Sequence, residues 1–167
     1  MTIASPFLMI RSAQPADAKV IVDLIVELAD YEKLREHAVA SEADIARSLF
    51  GDMPRVFCEI AEVDGIAVGM ALWFYNYSTF LGRHGIYLED LFVRPAQRGH
   101  GIGKMLLSRL AQRCSDENLG RLQWSVLDWN EDAIRFYKSL GATIDSEWVG
   151  CRLHGDALTR LAASARL

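Results

Sequence analysis

Arg98-Gly99-His100-Gly101-Ile102-Gly103-Lys104 runs directly into Met105-Leu106-Leu107-Ser108-Arg109-Leu110, and the reading of the chain turns on this stretch. Glycine has no Cβ, so a glycine-rich loop turns its backbone N–H groups inward and lets a bulky anion come close. Ile102, Leu106 and Leu110 recur at helical spacing, with Gly103 and Leu107 on the flank, so the glycines open a helix. The N–H groups of the first turn and the positive end of the helix dipole then converge on one place, which stabilises a phosphate. Arg98 adds a positive charge there.

Spacing excludes the other phosphate loops. The dinucleotide fingerprint is G-x-G-x-x-G, whereas Gly99, Gly101 and Gly103 give G-x-G-x-G and Lys104 stands where the third glycine belongs. The Walker loop needs a glycine where Arg98 stands and a Ser or Thr where Met105 stands. What remains is R-x-x-G-x-G between a strand and a helix.

A second block lies downstream, Asn130-Glu131-Asp132-Ala133-Ile134-Arg135-Phe136-Tyr137-Lys138-Ser139-Leu140-Gly141-Ala142. Asn130 is a helix cap, Glu131 and Asp132 suit the positive first turn, and Gly141 ends the helix. Ala133, Phe136, Tyr137 and Leu140 fall at i, i+3, i+4 and i+7, which sets Tyr137 on the inward stripe. Such a residue is either a core tyrosine with a bonded hydroxyl or a proton donor held in place.

Ile86-Tyr87-Leu88-Glu89-Asp90-Leu91-Phe92-Val93 sets two acids inside an apolar strand, where they are costly without partners. Alternation puts Glu89 with Tyr87 and Leu91, and Asp90 with Leu88 and Phe92, unless a bulge rotates one of them. A salt bridge or a position at a sheet edge is the structural alternative to chemistry.

The rest of the chain supplies a frame. Phe7 to Arg11 reads as a strand, Pro15-Ala16-Asp17 starts a helix striped by Ile21, Leu24, Ile25 and Leu28, and Ser41-Glu42-Ala43-Asp44 is a capping box for a second helix. Arg55 to Val63 and Ile66 to Tyr75 form a hairpin around Asp64-Gly65. Arg121 to Leu127 is a further strand, and a last strand pair is expected around Thr143 to Leu153. The expectation is an α/β (α+β) chain with a central mixed, mostly antiparallel, twisted sheet flanked by helices. At 167 residues with 51% hydrophobic content, residues 1–167 are read as a single domain.

A net charge of −4 without a basic cluster speaks against nucleic acid and fits a cationic substrate. Cys58, Cys114 and Cys151 lack C-x-x-C spacing, and the four histidines are scattered, so no metal is assigned. No segment is long and apolar enough for a membrane span and the N-terminus lacks a basic n-region, so a cytoplasmic location is expected. Asp23, Glu27 and Asp30 read as a solvated helix face.

The two blocks together resemble the acyl-CoA motifs of the GNAT superfamily of N-acetyltransferases. Ala29-Asp30-Tyr31-Glu32, Tyr87 to Val93, Arg98 to Gly103, Trp129-Asn130-Glu131 and Phe136-Tyr137-Lys138 extend the resemblance to the diamine (spermidine/spermine) N-acetyltransferases over nearly the whole chain. The resemblance implies acetyl-CoA as co-substrate, held by Leu91, Phe92, Val93, Arg98, Gly99, His100, Gly101, Ile102, Gly103, Lys104, Asn130, Ala133 and Tyr137. It implies an amine site lined by Tyr31, Glu32, Glu89 and Asp90, with Glu89 accepting a proton directly or through water. Tyr137 becomes the acid for the leaving thiolate, Leu91 to Val93 supply N–H groups to the oxyanion, and the enzyme is a homodimer. The chain carries Tyr77-Ser78-Thr79-Phe80 where the polyamine enzymes carry an acid. Thialysine and other lysine-like amino acids are therefore the alternative acceptors, followed by protein amines. A noncatalytic acyl-CoA sensor is the reading of a different class, and the presence of both Glu89 and Tyr137 speaks against it.

Overall fold

The structure, a computed structural model, describes residues 7–165. Local chemistry sets most element boundaries. Strand β1 (Leu8–Ser12) leads through a 3-10 turn at Pro15–Asp17 into α1 (Ala18–Tyr31). Ser41 caps α2 (Glu42–Phe50): its hydroxyl accepts from the Asp44 N–H while the Asp44 carboxylate takes the Ser41 N–H, the reciprocal box expected from the sequence. β2 (Phe57–Val63) and β3 (Ile66–Ser78) are joined by Asp64 and Gly65 at φ 51° and 79°, the left-handed pair that a tight hairpin requires. β4 (Arg83–Val93), α3 (Ile102–Asp116) and β5 (Leu122–Trp124) follow.

The five strands form one sheet in the order β1-β2-β3-β4-β5. Every pairing is antiparallel except β4 with β5, which is parallel. Cys58 and Ile60 pair with Leu72 and Met70, and all four pack with Phe92 against Ile21, Leu24 and Leu28 of α1 and Ile45 and Leu49 of α2. The neighbouring positions Glu59 and Trp73 point the other way, where Arg113 of α3 lies over the Trp73 ring at 5.0 Å. α3 covers that face with Ile102, Leu106, Leu107 and Leu110. Helices thus lie on both faces of a mixed, mostly antiparallel sheet, as expected. Glu59, 1% exposed, is held there between Arg109 and Arg113 at 3.8 Å each and accepts the Ser12 hydroxyl at 3.2 Å. These elements make one compact unit through residue 125.

The residues from 126 onward make a second compact unit, which carries α4 (Glu131–Ser139) and α5 (Gly155–Ala163). The strand pair expected around Thr143 to Leu153 is absent: these residues form no strand, and all are exposed. Their apolar members, Ile144, Trp148, Val149 and Leu153, keep no period of two, so no face exists to bury and no ladder forms. The strand expected over Arg121 to Leu127 shortens to Leu122–Trp124, the three residues that find partners on β4.

Candidate active site

The sheet opens beside the two acids. Leu72 pairs with Asp90 but the next residue, Trp73, pairs with Leu88, which leaves Glu89 as the additional residue of a bulge. This corrects the face assignment drawn from plain alternation. Leu88 sides with Trp73 beneath α3, while Asp90 stays with Leu72 and Phe92 on the α1 side, and Glu89 is exposed at the bulge.

The bulge also re-aims the backbone. Ile86 N–H donates to Arg121 O at 2.9 Å, toward β5, whereas Arg94 N–H donates to Val68 O at 2.9 Å, toward β3. Amides of an unbroken strand alternate between its two edges, so positions 86 and 94 would share an edge; the bulge inverts the alternation between them. The Leu91 and Val93 N–H groups consequently face the β5 side, where pairing has already ended at Leu88 with Trp124. No strand among the described residues pairs with 89–93 on that side. Phe92 differs from its neighbours. Its N–H turns to β3, and its side chain is buried in the core with α1 and α2.

Beyond β4, a 3-10 turn at Pro95–Gln97 delivers the glycine loop. Gly99 and Gly101 sit at φ 81° and 79°, and a Cβ at either would meet nothing within 4 Å, so the loop has open space on the side a side chain would fill. Gly101 occupies the cap position of α3 with no side-chain cap bond. The first-turn amides of Ile102, Gly103 and Lys104 have no partner within the helix and stay available to an anion. His100 turns its Nδ1 to Gln97 O at 3.3 Å, and Lys104 is exposed. The loop with the open edge of β4 fits an acyl-CoA: the loop suits its pyrophosphate, and the Leu91 and Val93 amides suit an extended amide-bearing arm.

The base of the loop is fastened to α1. Arg94 donates from Nε and Nη2 to Glu27 at 2.7–3.1 Å and from Nη1 to Ala67 O at 2.9 Å. Glu27 is thus a clamp on the end of β4 and not part of a purely solvated face. Arg98 gives its Nε–H to Val93 O at 2.9 Å.

At the C-terminal end of α1, Tyr31 and Glu32 are half-buried. Burial raises the Glu32 carboxyl above its ordinary range. Burial first, then the charges of Glu89 and Glu32, push the Asp90 carboxyl up to about 6. Glu89 and Glu32 both act on Asp90, an arrangement that a cation relieves. For stability the sign is unfavourable at neutral pH. Between the unfolded value of 3.8 and about 6 the folded protein keeps a proton that the unfolded chain has released, so stability falls as pH rises through that window. Asp90→Asn removes the cost; thermal unfolding is expected to show a gain of about 2–3 kcal/mol at pH 7.5 and little gain at pH 4. An equal gain at both values would show that ionisation of Asp90 is not what costs stability.

Asn130, Ala133 and Tyr137 lie in the second unit. Asn130 Oδ1 accepts from the Ala133 N–H at 3.3 Å, and Tyr137, 8% exposed, is the buried residue of α4. Gly141 follows at φ 89°, the left-handed residue expected to end the helix.

The acetyltransferase (GNAT) family model matches residues 22–142. The chain belongs to this family. A thialysine N-epsilon-acetyltransferase of Bos taurus is 39% identical, the match spanning 93% of this chain and 98% of that protein. An L-ornithine N5-acetyltransferase of Arabidopsis thaliana is 33% identical across 91% of this chain and 86% of its own length. Among solved structures, an integron cassette protein from the mobile metagenome of V. cholerae is similar with a TM-score of 0.78 and 30% identity, covering 93% of this chain and 97% of that one. The protein is a GNAT N-acetyltransferase, a class that draws its acetyl group from acetyl-CoA. Among the described residues, no group of three or more His, Cys, Asp or Glu could hold a metal ion. No described helix is long and apolar enough to cross a membrane.

Proposed function

We propose that this GNAT enzyme transfers acetyl from acetyl-CoA to a primary amine of a small diamino compound by direct attack in a ternary complex. A lysine-like amino acid ranks ahead of a long polyamine such as spermidine. The observation that carries the reading is the grouping of Glu32, Glu89 and Asp90 beside the open edge of β4. Two features support the shorter acceptor. The two relatives described above, which match over nine-tenths of this chain, are named for thialysine and ornithine, and Ser78, where polyamine enzymes carry an acid, is buried and accepts the Leu81 N–H at 3.3 Å.

The chemistry follows from the amine. With a pKa of about 10.4 it is unprotonated roughly once in 2,500 molecules at pH 7, a handicap of about 4.6 kcal/mol. The carboxylates hold the ammonium, and Glu89, Asp90 or a water bound to them takes its proton. Acetyl-CoA supplies the acetyl group as a thioester. The Leu91 amide, the nearer of the two to the acids, stabilises the oxyanion formed as the N–C bond is made, and the Val93 amide is left to the arm of the cofactor. Tyr137 Oη donates its proton as the C–S bond breaks; of the two protons the ammonium nitrogen loses on becoming an amide, one restores the tyrosine through solvent and the other is released. Phenol to thiolate transfer is uphill by roughly 2 kcal/mol in water, so the hydroxyl must be positioned.

Residues 1–167 act as one catalytic domain in this reading, because the family model spans parts of both compact units. A cytoplasmic homodimer completes it; the exposed Trp148 and Val149 are suited to a subunit contact, and sedimentation velocity tests that state. Acceptor class is tested by kcat/KM across thialysine, ornithine, lysine, putrescine, spermidine and a lysine-bearing peptide. A diamino acid at least about tenfold ahead of spermidine and of the peptide is expected. Spermidine ahead moves the acceptor to the polyamines, and the peptide ahead moves it to protein amines.

A further inference from the structure

Tyr31 was assigned to the amine site by resemblance, yet its ring has a different neighbour. The Arg98 guanidinium carbon lies 4.6 Å from the Tyr31 ring centroid and 5.8 Å from that of Phe92. Its Nε is occupied by Val93 O at 2.9 Å. These contacts hold the guanidinium at its Nε and against the Tyr31 ring.

The same helix face provides a second fastening. Glu27 and Tyr31 are four apart on α1 and so stand one above the other. Glu27 holds Arg94, and Tyr31 holds Arg98. The segment from the end of β4 to the glycine loop is thereby attached to α1 by two arginines, each with its own partner. An arginine free to rotate loses side-chain entropy when it grips a phosphate, whereas one already held against a ring has lost much of it beforehand.

We infer that Tyr31 is a positioning residue of the phosphate loop: its ring holds Arg98 ready for the pyrophosphate of acetyl-CoA. The inference rests on the proposed acyl-CoA role of the loop. It gives Tyr31 a part on the donor side of the reaction, while the carboxyl of its neighbour in sequence, Glu32, acts on Asp90.

The test compares wild type, Tyr31→Leu and Tyr31→Phe with two donors, acetyl-CoA and acetyl-pantetheine, the second of which has no phosphate. Tyr31→Leu is expected to raise KM for acetyl-CoA about threefold to tenfold, the range of a cation–π contact, with kcat and the amine KM within about twofold. Tyr31→Phe keeps the ring and is expected to restore KM for acetyl-CoA to within about twofold of wild type. With acetyl-pantetheine, Tyr31→Leu and wild type are expected to be equal, and in an Arg98→Ala background Tyr31→Leu is expected to add nothing. An unchanged KM for acetyl-CoA, an equal loss with both donors, or a loss confined to the amine KM overturns the inference. A wild type that gains nothing from the phosphates of acetyl-CoA over acetyl-pantetheine overturns the loop reading itself, which distinguishes the two failures.

Discussion

Gly101→Asp is expected to lower CoA affinity by on the order of 100-fold or more, about 2.7 kcal/mol, while leaving the protein folded. Gly101 sits at φ 79° in the cap position of α3, and a Cβ there meets no atom within 4 Å. Asp is among the few residues that accept the left-handed region. The substitution therefore places a negative charge in the cradle, at a backbone strain of about 1 kcal/mol that leaves the fold standing. Gly101→Asn has nearly the same shape without the charge, and is expected to lose about tenfold. Calorimetric titration with CoA reads both, alongside thermal unfolding to show that the helix survives. Unchanged affinity in Gly101→Asp would relocate the phosphate site.

Tyr137→Phe is expected to lower kcat with acetyl-CoA about 100-fold, with KM for acetyl-CoA within about twofold. The change deletes one oxygen from a side chain that is 8% exposed, so packing in α4 is kept and the proton is lost. General acid catalysis is worth about 10²–10⁴ in rate, and the weak acidity of a phenol argues for the lower end. An acetyl thioester of an aromatic thiol, whose thiolate leaves without a proton, is expected to reduce the defect to a few fold. Equal turnover by wild type and variant with acetyl-CoA would remove Tyr137 from the mechanism, and an undiminished defect with the aromatic thioester would assign it a role other than acid.

The parts of this structure legible in the sequence are those fixed by near neighbours. Ser41 with Asp44, Asn130 with Ala133, Asp64-Gly65 and the glycines before Ile102 each act within a few residues, and each forms the cap, turn or helix start expected of it. What lay beyond reach depends on a distant partner. Nothing in Leu88-Glu89-Asp90 marks which residue bulges, because pairing with Leu72 and Trp73 decides it. That one residue determines which face Asp90 shares and which amides reach the open edge. Arg94 finds Glu27 across 67 positions, and Glu59 is buried only because Arg109 and Arg113 arrive from α3. The pair of strands expected near Thr143 failed for the converse reason: scattered apolar residues suggested a pattern that no partner completes.

The central claim is direct transfer of acetyl from acetyl-CoA to a small amine while both are bound. Initial rates of thiol release, measured over a matrix of acetyl-CoA and amine concentrations with the N-acetyl product quantified by mass spectrometry, test it most directly. The account predicts one N-acetyl product per thiol released and intersecting double-reciprocal lines. Parallel lines would contradict it by requiring an acetylated enzyme, and thiol release without N-acetyl product would contradict it by making the amine a bystander.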